Sequence, residues 1–442
     1  MIRVYTLLLY LALPLAFLRL WWRGFRLPGY RRYWRERLGV VNGFDDTSPA
    51  IWLHAVSVGE VRAAAPLVNA LLQRYPQSPL LLTTTTPTGR DTAMQLFGQR
   101  VRYAYLPWDL PFAVKRFLSS VRPGKAIVME TELWPNLFHQ LKQGGIPLYL
   151  VNARLSDASL QGYRRIRPLT RSTLACVTGI AAQSDAAMKR FIMLGAAPDV
   201  VHHAGNLKYE AGLPEDFERY VGSLQRSFGQ REAMWVAGST HPGEEPVVLA
   251  VHQHLLRENP DCLLWLVPRH PERAAELVLL SERAGMRVVL YSEFLREGEG
   301  LVTCPNPGRL QVIVVDVLGV LVYLYGLAPV AFLGGSLVSH GGHNPLEALQ
   351  AGCAVVSGAH VDNFAEVYQQ LDSAGAATHV TDEASLTKAI TCLLGDGALR
   401  QQQLAAGEQV LKRNRGALAR VLAMLAPSVI ARRGAPWQSP SG

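Results

Sequence analysis

The sequence has few cysteines and lacks several common signatures of metal and nucleotide sites. Its five cysteines are far apart in the 442 residues and form no Cys-x-x-Cys pair. This excludes a disulfide framework and a zinc knuckle, and it favours a reducing compartment. No Gly-x-x-x-x-Gly-Lys-[Ser/Thr] or Gly-x-Gly-x-x-Gly motif occurs, which disfavours P-loop and dinucleotide-binding proteins. Asp-x-Asp is also missing, so a metal-bridged sugar-nucleotide site is not expected.

Charged residues are scarce as well, at 18% of the chain, and the net charge of +9 is concentrated at one end. Residues 1–40 contain eight arginines and one glutamate, which supply +7 of that total and leave +2 for the rest. A basic region confined to the flank of an apolar segment indicates lipid headgroups rather than nucleic acid. We therefore expect membrane lipids as partners and no nucleic acid. Nothing in the sequence indicates an obligate protein partner.

The long apolar run at residues 4–22 predicts a membrane helix. About 20 apolar residues span a bilayer as a helix, so this run is just long enough. No small-residue cleavage site follows it, which argues against a removable signal peptide. Six arginines lie between Arg23 and Arg37, against Arg3 alone before the run, and this predicts that the rest of the chain stays cytoplasmic. The alternative is a buried or interfacial helix that does not cross the bilayer.

After these arginines, short apolar runs alternate with helix-compatible stretches. This rhythm is typical of βα units, in which helices cover both faces of a parallel sheet. A polar stretch at 211–232 interrupts it, and we predict a linker there. The predicted fold is α/β, with two facing doubly wound, Rossmann-like domains that bind ligands beyond the carboxyl ends of their strands. The predicted segments are 1–40 for the membrane helix and basic collar, 41–210 for the first domain, 233–426 for the second domain with C-terminal helices, and 427–442 for a tail.

Three loops of the first domain carry candidate catalytic side chains. Glu60 follows the first strand and opens a helix, whose positive N-terminus would help to keep a general base ionised. Its Ser-x-x-Glu spacing also fits a capping box that only finishes the helix start. Glu130 and Glu132 follow another strand and alternate in direction, so at most one should face the cleft while the other is solvated or caps Asn136. Lys208 lies in a loop near the predicted hinge, where a surface position is the simpler interpretation.

The second domain has two loops suited to a nucleotide. Residues 334–349 join a strand to a helix through a glycine-rich loop, with Pro345 near the first helical turn. Glycines let the backbone approach a ligand, and amide groups at a helix start suit a phosphate. Glu347 is placed to accept hydrogen bonds from ribose hydroxyls, and Arg269 follows another strand, where it suits a phosphate or a base edge. A tight turn is the simpler alternative for the loop.

Two histidine pairs are the remaining candidates for metal ligands. His252 and His254 are alternate residues of a helical stretch and face different directions, whereas His340 and His343 lie in the glycine-rich loop. We therefore expect neither a metal nor a cofactor.

Seven motifs follow one another along the chain: HAVSVGEVRAA, TTTTPTGRD, METELWPNL, NARLS, GSTHPGEE, PRHPER and GGSLVSHGGHNPLEAL. Together they resemble the motifs of the 3-deoxy-D-manno-octulosonic acid (Kdo) transferases, inverting glycosyltransferases of the GT-B fold. The resemblance extends from the N-terminal helix almost to the C-terminus. It implies CMP-Kdo as the donor, a lipid A precursor as the acceptor, and residence on the cytoplasmic face of a Gram-negative inner membrane.

The resemblance also implies roles for single residues. Glu60 corresponds to the general base that deprotonates the acceptor hydroxyl. Glu130 and Lys208 correspond to a pair that stabilises the transition state. The implied contacts to CMP are made by Pro268 and Arg269, by the loop Leu318, Gly319 and Val320, and by the helix start Asn344, Pro345, Leu346 and Glu347.

One of these positions departs from the family pattern. The family usually carries an acidic residue after the loop glycine, and this chain has Val320 there. A contact through backbone groups would leave CMP affinity unchanged, whereas a contact through the carboxylate would make CMP affinity weaker in this chain.

The implied reaction is a single in-line displacement that inverts the anomeric centre. Two other functions stay open: a UDP-sugar-dependent GT-B transferase that acts on a lipid acceptor, and an inactive membrane scaffold of the same fold. The change at Val320 favours the scaffold slightly, while the intact residues around Glu60, Glu130 and Lys208 argue against it. The number of Kdo residues transferred is not indicated by any motif.

Overall fold

The computed structural model describes residues 1–26, 28–42, 48–229, 233–296, 300–301 and 310–426. The chain forms two compact units. The first comprises Met1–Ala211 together with the chain from Asn414 onward, and the second comprises Gly212–Arg413. Each unit has an α/β architecture around a seven-stranded parallel sheet.

The first sheet has the strand order β3-β2-β1-β4-β5-β6-β7. Its strands are β1 (Ala50–His54), β2 (Leu80–Thr84), β3 (Arg102–Tyr105), β4 (Pro123–Met129), β5 (Leu148–Ala153), β6 (Gly179–Ala182) and β7 (Val201–His203). Strand β1 is buried on both faces, which explains why its sequence is an unbroken apolar run up to His54. Trp52 packs into the core on one face of the sheet, and Ile51 and Leu53 pack into the core on the other.

Helices cover both faces of this sheet. They are α1 (Ile2–Arg26), α2 (Trp34–Arg37), α3 (Val58–Arg74), α4 (Pro87–Phe97), α5 (Pro111–Val121), α6 (Pro135–Gln143), α7 (Asp157–Arg165), α8 (Arg167–Leu174) and α9 (Asp185–Leu194). A proline stands in the first turn of α4, α5, α6 and α8, where the missing N–H costs no hydrogen bond.

Helix α1 is long and apolar enough to cross a membrane. One side of it contacts the first unit: the Tyr5 hydroxyl donates to Asp109 Oδ2 at 3.0 Å, and Thr6 Oγ1 donates to Asn136 Oδ1 at 2.9 Å. Further along, the Phe17 ring meets the edge of Trp108 at 4.4 Å between ring centroids. The opposite side exposes leucines that are 59–69% accessible, namely Leu7, Leu8, Leu11, Leu15 and Leu18.

The basic collar that follows α1 is only partly exposed. Arg31, Arg32 and Arg35 lie on the surface. Arg37, which the sequence grouped with them, is buried instead, because its guanidinium donates to the Thr85 carbonyl at 3.0 Å and lies over the Tyr105 ring at 4.1 Å. Arg37 therefore belongs to the core of the first unit and is not available to headgroups.

The second sheet has the strand order β10-β13-β9-β8-β14-β15-β16. Its strands are β8 (Met234–Thr240), β9 (Leu263–Pro268), β10 (Val288–Leu290), β13 (Val312–Val314), β14 (Val330–Leu333), β15 (Ala354–Ser357) and β16 (Thr378–His379). A separate antiparallel pair consists of β11 (Leu295–Arg296) and β12 (Gly300–Leu301). The helices that follow Ala211 along the chain are α10 (Phe217–Phe228), α11 (Glu245–Glu258), α12 (Ala274–Arg283), α13 (Leu321–Leu327), α14 (Leu346–Gln350), α15 (Ala365–Ala374), α16 (Glu383–Gly395), α17 (Gly397–Asn414) and α18 (Ala417–Leu425), of which α18 belongs to the first unit.

The predicted linker at 211–232 is corrected by helix α10. Phe217, Val221, Leu224 and Phe228 form its buried stripe. The Phe228 ring packs against Trp265 of β9 at 4.9 Å. The charged residues between these positions hide the helical period in the sequence, yet the stripe makes this segment part of the second unit. Residues 230–232 lie outside the described residues.

The last helix also differs from the prediction, which placed all C-terminal helices in the second domain. Helix α18 packs on the first unit, where Val421 and Leu425 join the core formed by α3 and the central strands. The Leu425 carbonyl accepts a hydrogen bond from Lys125 Nζ at 2.7 Å, which ties the helix end to β4. The predicted tail at 427–442 lies outside the described residues.

Candidate active site

Three carboxylates gather at the carboxyl edge of the first sheet. Glu60 lies in the first turn of α3, the helix that follows β1, and Glu130 and Glu132 follow β4. Strands β1 and β4 are parallel neighbours, so their carboxyl ends meet at one edge. The carboxyl groups are close enough for Glu130 and Glu132 to act electrostatically on Glu60.

Glu60 Oε2 accepts a hydrogen bond from the Val56 N–H at 2.8 Å. In a capping box the partner would be the N–H of Ser57, the N-cap residue, and the Ser57 hydroxyl would cap the helix in return. The Ser57 side chain makes no such bond. The capping box is therefore not formed, and the Glu60 carboxyl is held by the turn that links β1 to α3.

Burial raises the pKa of Glu60 to about 8, assisted by Glu130 and Glu132 and opposed by the Val56 N–H and Arg154. The sequence predicted that the helix N-terminus would keep this carboxylate ionised. Desolvation outweighs that effect here, because the group is withdrawn from water and faces two further acids. A carboxyl with a pKa near 8 is a stronger base than an exposed one once it is deprotonated.

The two acids after β4 lie close enough to act on each other electrostatically. That at most one of them faces the cleft stays a prediction. Glu130 is buried, with a left-handed φ of 54° that turns the chain sharply at the end of β4. Its Oε2 accepts a hydrogen bond from Arg154 Nε at 2.7 Å. Burial raises the pKa of Glu132 to about 7, with Glu130 adding to the increase.

Neither acid caps Asn136. The N–H groups of Asn136 and Leu137 at the start of α6 donate to Asp109, at 3.0 and 2.7 Å. Asp109 was not singled out in the sequence, because its partners lie about 27 residues away in a different loop.

Lys208 lies in a 3-10 turn, Leu207–Glu210, that contacts helix α3. Three buried amide side chains stabilise this turn, namely Asn152, Gln183 and Asn206. Asn152 Oδ1 accepts the Leu207 N–H at 2.9 Å, and Asn206 Oδ1 accepts the Lys208 N–H at 2.9 Å.

The amides also bond to one another. Gln183 Nε2 donates to the Asn152 carbonyl at 2.7 Å, and Asn206 Nδ2 donates to Gln183 Oε1 at 3.2 Å. Asn152 is the next-to-last residue of β5 and has a left-handed φ of 55°. Sequence reasoning missed Arg154 and this amide network, although the NARLS motif contains both Asn152 and Arg154 and was the available signal.

In the second unit, the predicted nucleotide contacts occupy the carboxyl edge of the second sheet. Pro268 ends β9, and the Arg269 N–H donates to the Thr240 carbonyl at 2.9 Å, which joins the ends of β9 and β8. At the start of α14, Asn344 Nδ2 donates to Glu347 Oε1 at 3.0 Å. Pro345 precedes the helix and Leu346, its first residue, is buried.

The glycine-rich loop is organised by Glu244, a fully buried residue that the sequence did not single out. Its carboxylate accepts the N–H groups of Gly335, Ser336 and Leu337 at 2.7, 3.0 and 3.0 Å. It also accepts the His241 N–H at 2.9 Å. The three loop amides donate to an internal carboxylate and are therefore already engaged. The amides that the sequence predicted for a phosphate are those at the start of α14, and that prediction is not tested by these contacts. Glu244 belongs to the GSTHPGEE motif, which was the available signal in the sequence for its role.

Within the described ranges, no three His, Cys, Asp or Glu side chains are placed to share a metal ion. His252 is buried, where it accepts from Trp235 Nε1 at 3.2 Å and bonds to the Gln311 carbonyl. His254 lies on the exposed side of α11 next to Glu258.

Comparison with known proteins places this arrangement in a family. The family described as 3-deoxy-D-manno-octulosonic-acid transferase (kdotransferase) matches residues 32–211. The Kdo transferase of Haemophilus influenzae is 40% identical over 425 residues, which cover 96% of this chain and 97% of that protein. The chain belongs to the Kdo transferase family. It is therefore a glycosyltransferase. The Kdo transferase of Bordetella pertussis is also similar, with 35% identity over 95% of this chain and 97% of its own length.

Solved structures agree with this membership at the level of fold. The UDP-GlcNAc 2-epimerase of Neisseria meningitidis has a TM-score of 0.56 and 12% identity, and the match covers 85% of this chain and 99% of that one. A glycosyltransferase of Rickettsia africae has a TM-score of 0.52 and 11% identity, covering 88% of this chain and 100% of that one. These likenesses concern the fold alone and confirm the predicted GT-B class.

The loop that departs from the Kdo transferase pattern is open at its tip. Leu318 is 72% exposed, and Gly319 has a left-handed φ of 89° with open space where a side chain would lie. Val320 is buried at the start of α13. The exposed part of this loop is thus Leu318 and Gly319, while the residue that replaces the acid packs inward.

Proposed function

We propose that this chain transfers Kdo from CMP-Kdo to a lipid A precursor by a single displacement that inverts the anomeric centre. Family membership supports Kdo transfer in lipopolysaccharide biosynthesis. The donor, the acceptor and the stereochemistry come from the resemblance of the motifs. The observation that carries the proposal is the half-buried Glu60 carboxyl beside the Glu130–Arg154 ion pair at the carboxyl edge of a parallel sheet.

In the proposed step, the deprotonated Glu60 accepts the proton of an acceptor hydroxyl. The hydroxyl oxygen forms a bond to the anomeric carbon of Kdo while the bond from that carbon to the phosphate oxygen breaks. The bonding pair leaves with CMP, and the proton remains on Glu60 until solvent removes it. Burial supports this role, because it raises the pKa of Glu60 into the range where a carboxylate is an effective base at neutral pH.

Glu130 and Lys208 are proposed to stabilise the charge that develops in the transition state. Arg154 supports Glu130 through their hydrogen bond, and the amide network supports the backbone of Lys208. In the second unit, Pro268, Arg269 and the segment Asn344–Glu347 are proposed to contact CMP, together with the backbone of the loop 318–320. No metal is assigned a role, since fixed donors and cationic side chains can meet the charge of the leaving phosphate.

Helix α1 is proposed to attach the enzyme to the cytoplasmic face of the inner membrane. Its exposed leucines form an apolar side that water does not favour, and the exposed arginines Arg31, Arg32 and Arg35 follow it. Because the other side of α1 contacts the first unit, a helix that lies along the bilayer surface is as compatible with these contacts as one that enters it. Replacing Leu8 and Leu15 by glutamate should release the protein from anionic vesicles, while Leu399→Glu at an exposed position of helix α17 should not.

The deciding experiment incubates the full chain with CMP-Kdo and a tetraacylated lipid A precursor. Mass spectrometry then counts the sugars transferred, and a parallel assay measures released CMP. Transfer with CMP release supports the proposal. Tight binding of UMP with weak binding of CMP would instead favour a UDP-sugar donor, and absence of CMP release with both substrates present would favour the scaffold.

A further inference from the structure

Four histidines converge at the carboxyl edge of the second sheet. His241 follows β8, His270 follows β9, and His340 and His343 lie in the glycine-rich loop after β14. The rings of His241 and His340 are stacked with centroids 4.2 Å apart, and His241 Nε2 lies 3.2 Å from His343 Nε2. His270 meets His241 edge-on at 6.3 Å.

Hydrogen bonds and a glycine in the surrounding backbone fix the positions of these rings. Glu244 fixes the N–H of His241 and three amides of the glycine-rich loop with one carboxylate. Gly335 has a left-handed φ of 67°, and a Cβ there would lie 3.2 Å from the His241 ring and 3.3 Å from His343 Nε2. A side chain at 335 would therefore disturb the pair, so the loop geometry and the position of the histidines depend on each other.

The surroundings of His241 are cationic. Burial lowers the pKa of His241 to about 4, and His340, His270, Arg269 and Arg273 lower it further. The nearby carboxylates are already engaged: Glu244 by four N–H groups, Glu245 by Arg273, and Glu272 by His270. Each positive charge in such a group disfavours protonation of the neighbouring imidazoles. An anion bound among them would offset this repulsion and stabilise the protonated rings.

We propose that His241, His340 and His343, together with Arg269, bind the phosphate of the nucleotide donor. This rests on the proposed function, because it takes a nucleotide as the ligand of the second unit. Three amides of the glycine-rich loop already donate to Glu244, so the imidazole and guanidinium groups beside that part of the loop are the donors that a phosphate meets there. Hydrogen bonds from such groups to a phosphate are charge-assisted and about twice as strong as neutral ones. The same contacts meet the negative charge that appears on CMP as it leaves.

The test compares the binding of CMP and of cytidine, which lacks the phosphate, by isothermal titration calorimetry. His343→Ala should weaken CMP binding about tenfold or more and leave cytidine affinity unchanged, because one charge-assisted contact is lost. His343→Gln keeps a donor and should recover part of the loss. His254→Ala removes an exposed histidine of the same unit and should change neither affinity. Equal weakening of CMP and cytidine, or no weakening of either, would overturn the proposal.

The same titrations with UMP and uridine separate this proposal from the proposed function. Suppose that the wild-type protein binds UMP more tightly than CMP, and that His343→Ala lowers UMP affinity to that of uridine. The phosphate site is then supported, and CMP-Kdo is rejected as the donor. If wild-type transfers Kdo from CMP-Kdo but His343→Ala leaves the ratio of CMP to cytidine affinity intact, the phosphate site falls and the proposed function stands.

Discussion

The two units are built alike, around seven parallel strands with ligand-facing loops at the carboxyl edge, yet these edges carry opposite chemistry. The first edge gathers the carboxyl groups of Glu60, Glu130 and Glu132, and the second gathers imidazoles around His241. Burial and like neighbours act on both. They raise the pKa of Glu60 and lower that of His241, so each group is mostly uncharged near pH 7. The same sheet architecture forms both edges, and a few residues after each strand determine the chemistry of each edge.

The largest effect is expected at the acidic edge, where Glu60 is the proposed base. Glu60→Gln should lower kcat by about 10²- to 10⁴-fold, because the proton of the acceptor hydroxyl loses its base. CMP affinity, measured by calorimetry, should stay within about twofold, since the proposed CMP contacts lie in the second unit. Retention of more than a few per cent of the rate, roughly the lower bound for general-base catalysis, would remove Glu60 from that role.

The basic edge is tested through the residue that organises it. Glu244→Gln should lower the free energy of unfolding by about 2–3 kcal/mol, because an amide cannot accept from all four buried N–H groups. Denaturant titration of the full chain measures the loss, with the exposed Glu258→Gln as the matched control. A loss equal to that of the control would show that Glu244 does not hold the loop.

The pH dependence of the reaction tests the raised pKa at the acidic edge. Because the base must be deprotonated and the pKa of Glu60 is raised to about 8, kcat/KM should rise with pH up to that value and be about tenfold lower at pH 7 than on the plateau. Glu132→Gln removes a neighbouring carboxyl, so the acidic limb should move to lower pH. An acidic limb that lies near pH 4.5 in the wild-type enzyme would contradict the raised pKa.

The smallest effect is expected at Val320. Since the Val320 side chain is buried and the exposed residues of the loop are Leu318 and Gly319, Val320→Glu should change CMP affinity by less than about threefold. Calorimetry with CMP measures the change, and Leu318→Glu at the exposed loop tip provides the comparison. A gain of tenfold or more would mean that the family's acidic side chain contacts CMP and that this chain has lost the contact.

Much of this fold followed from the sequence, because its signals are local. Strand β1 is an apolar run followed by a turn and a helix, and that order alone places Glu60 at a sheet edge. The same reasoning placed Glu130 after β4 and Arg269 after β9. The GT-B class was predicted and is confirmed, whereas the catalytic and CMP-binding roles of these residues stay predictions.

The parts that the sequence did not reveal depend on contacts between distant segments. Arg154 reaches Glu130 from 24 residues away, and Glu244 reaches the glycine-rich loop from 91 residues away. Propensity and periodicity carry no information on such pairs. Helix α10 was missed for a different reason, because mostly polar or charged residues lie between its buried ones and the segment resembles a polar linker.

The return of α18 to the first unit constrains the order in which the protein can form on the ribosome. When residues 1–211 have emerged, the surface that will bind Val421 and Leu425 is still uncovered. The ammonium of Lys125, which burial makes costly to charge, still lacks the Leu425 carbonyl. The second unit is continuous in sequence, so it can be completed first. The unit that begins the chain is thus the last to be finished, and a nascent or C-terminally clipped protein should be recognised by chaperones and proteases through its first half.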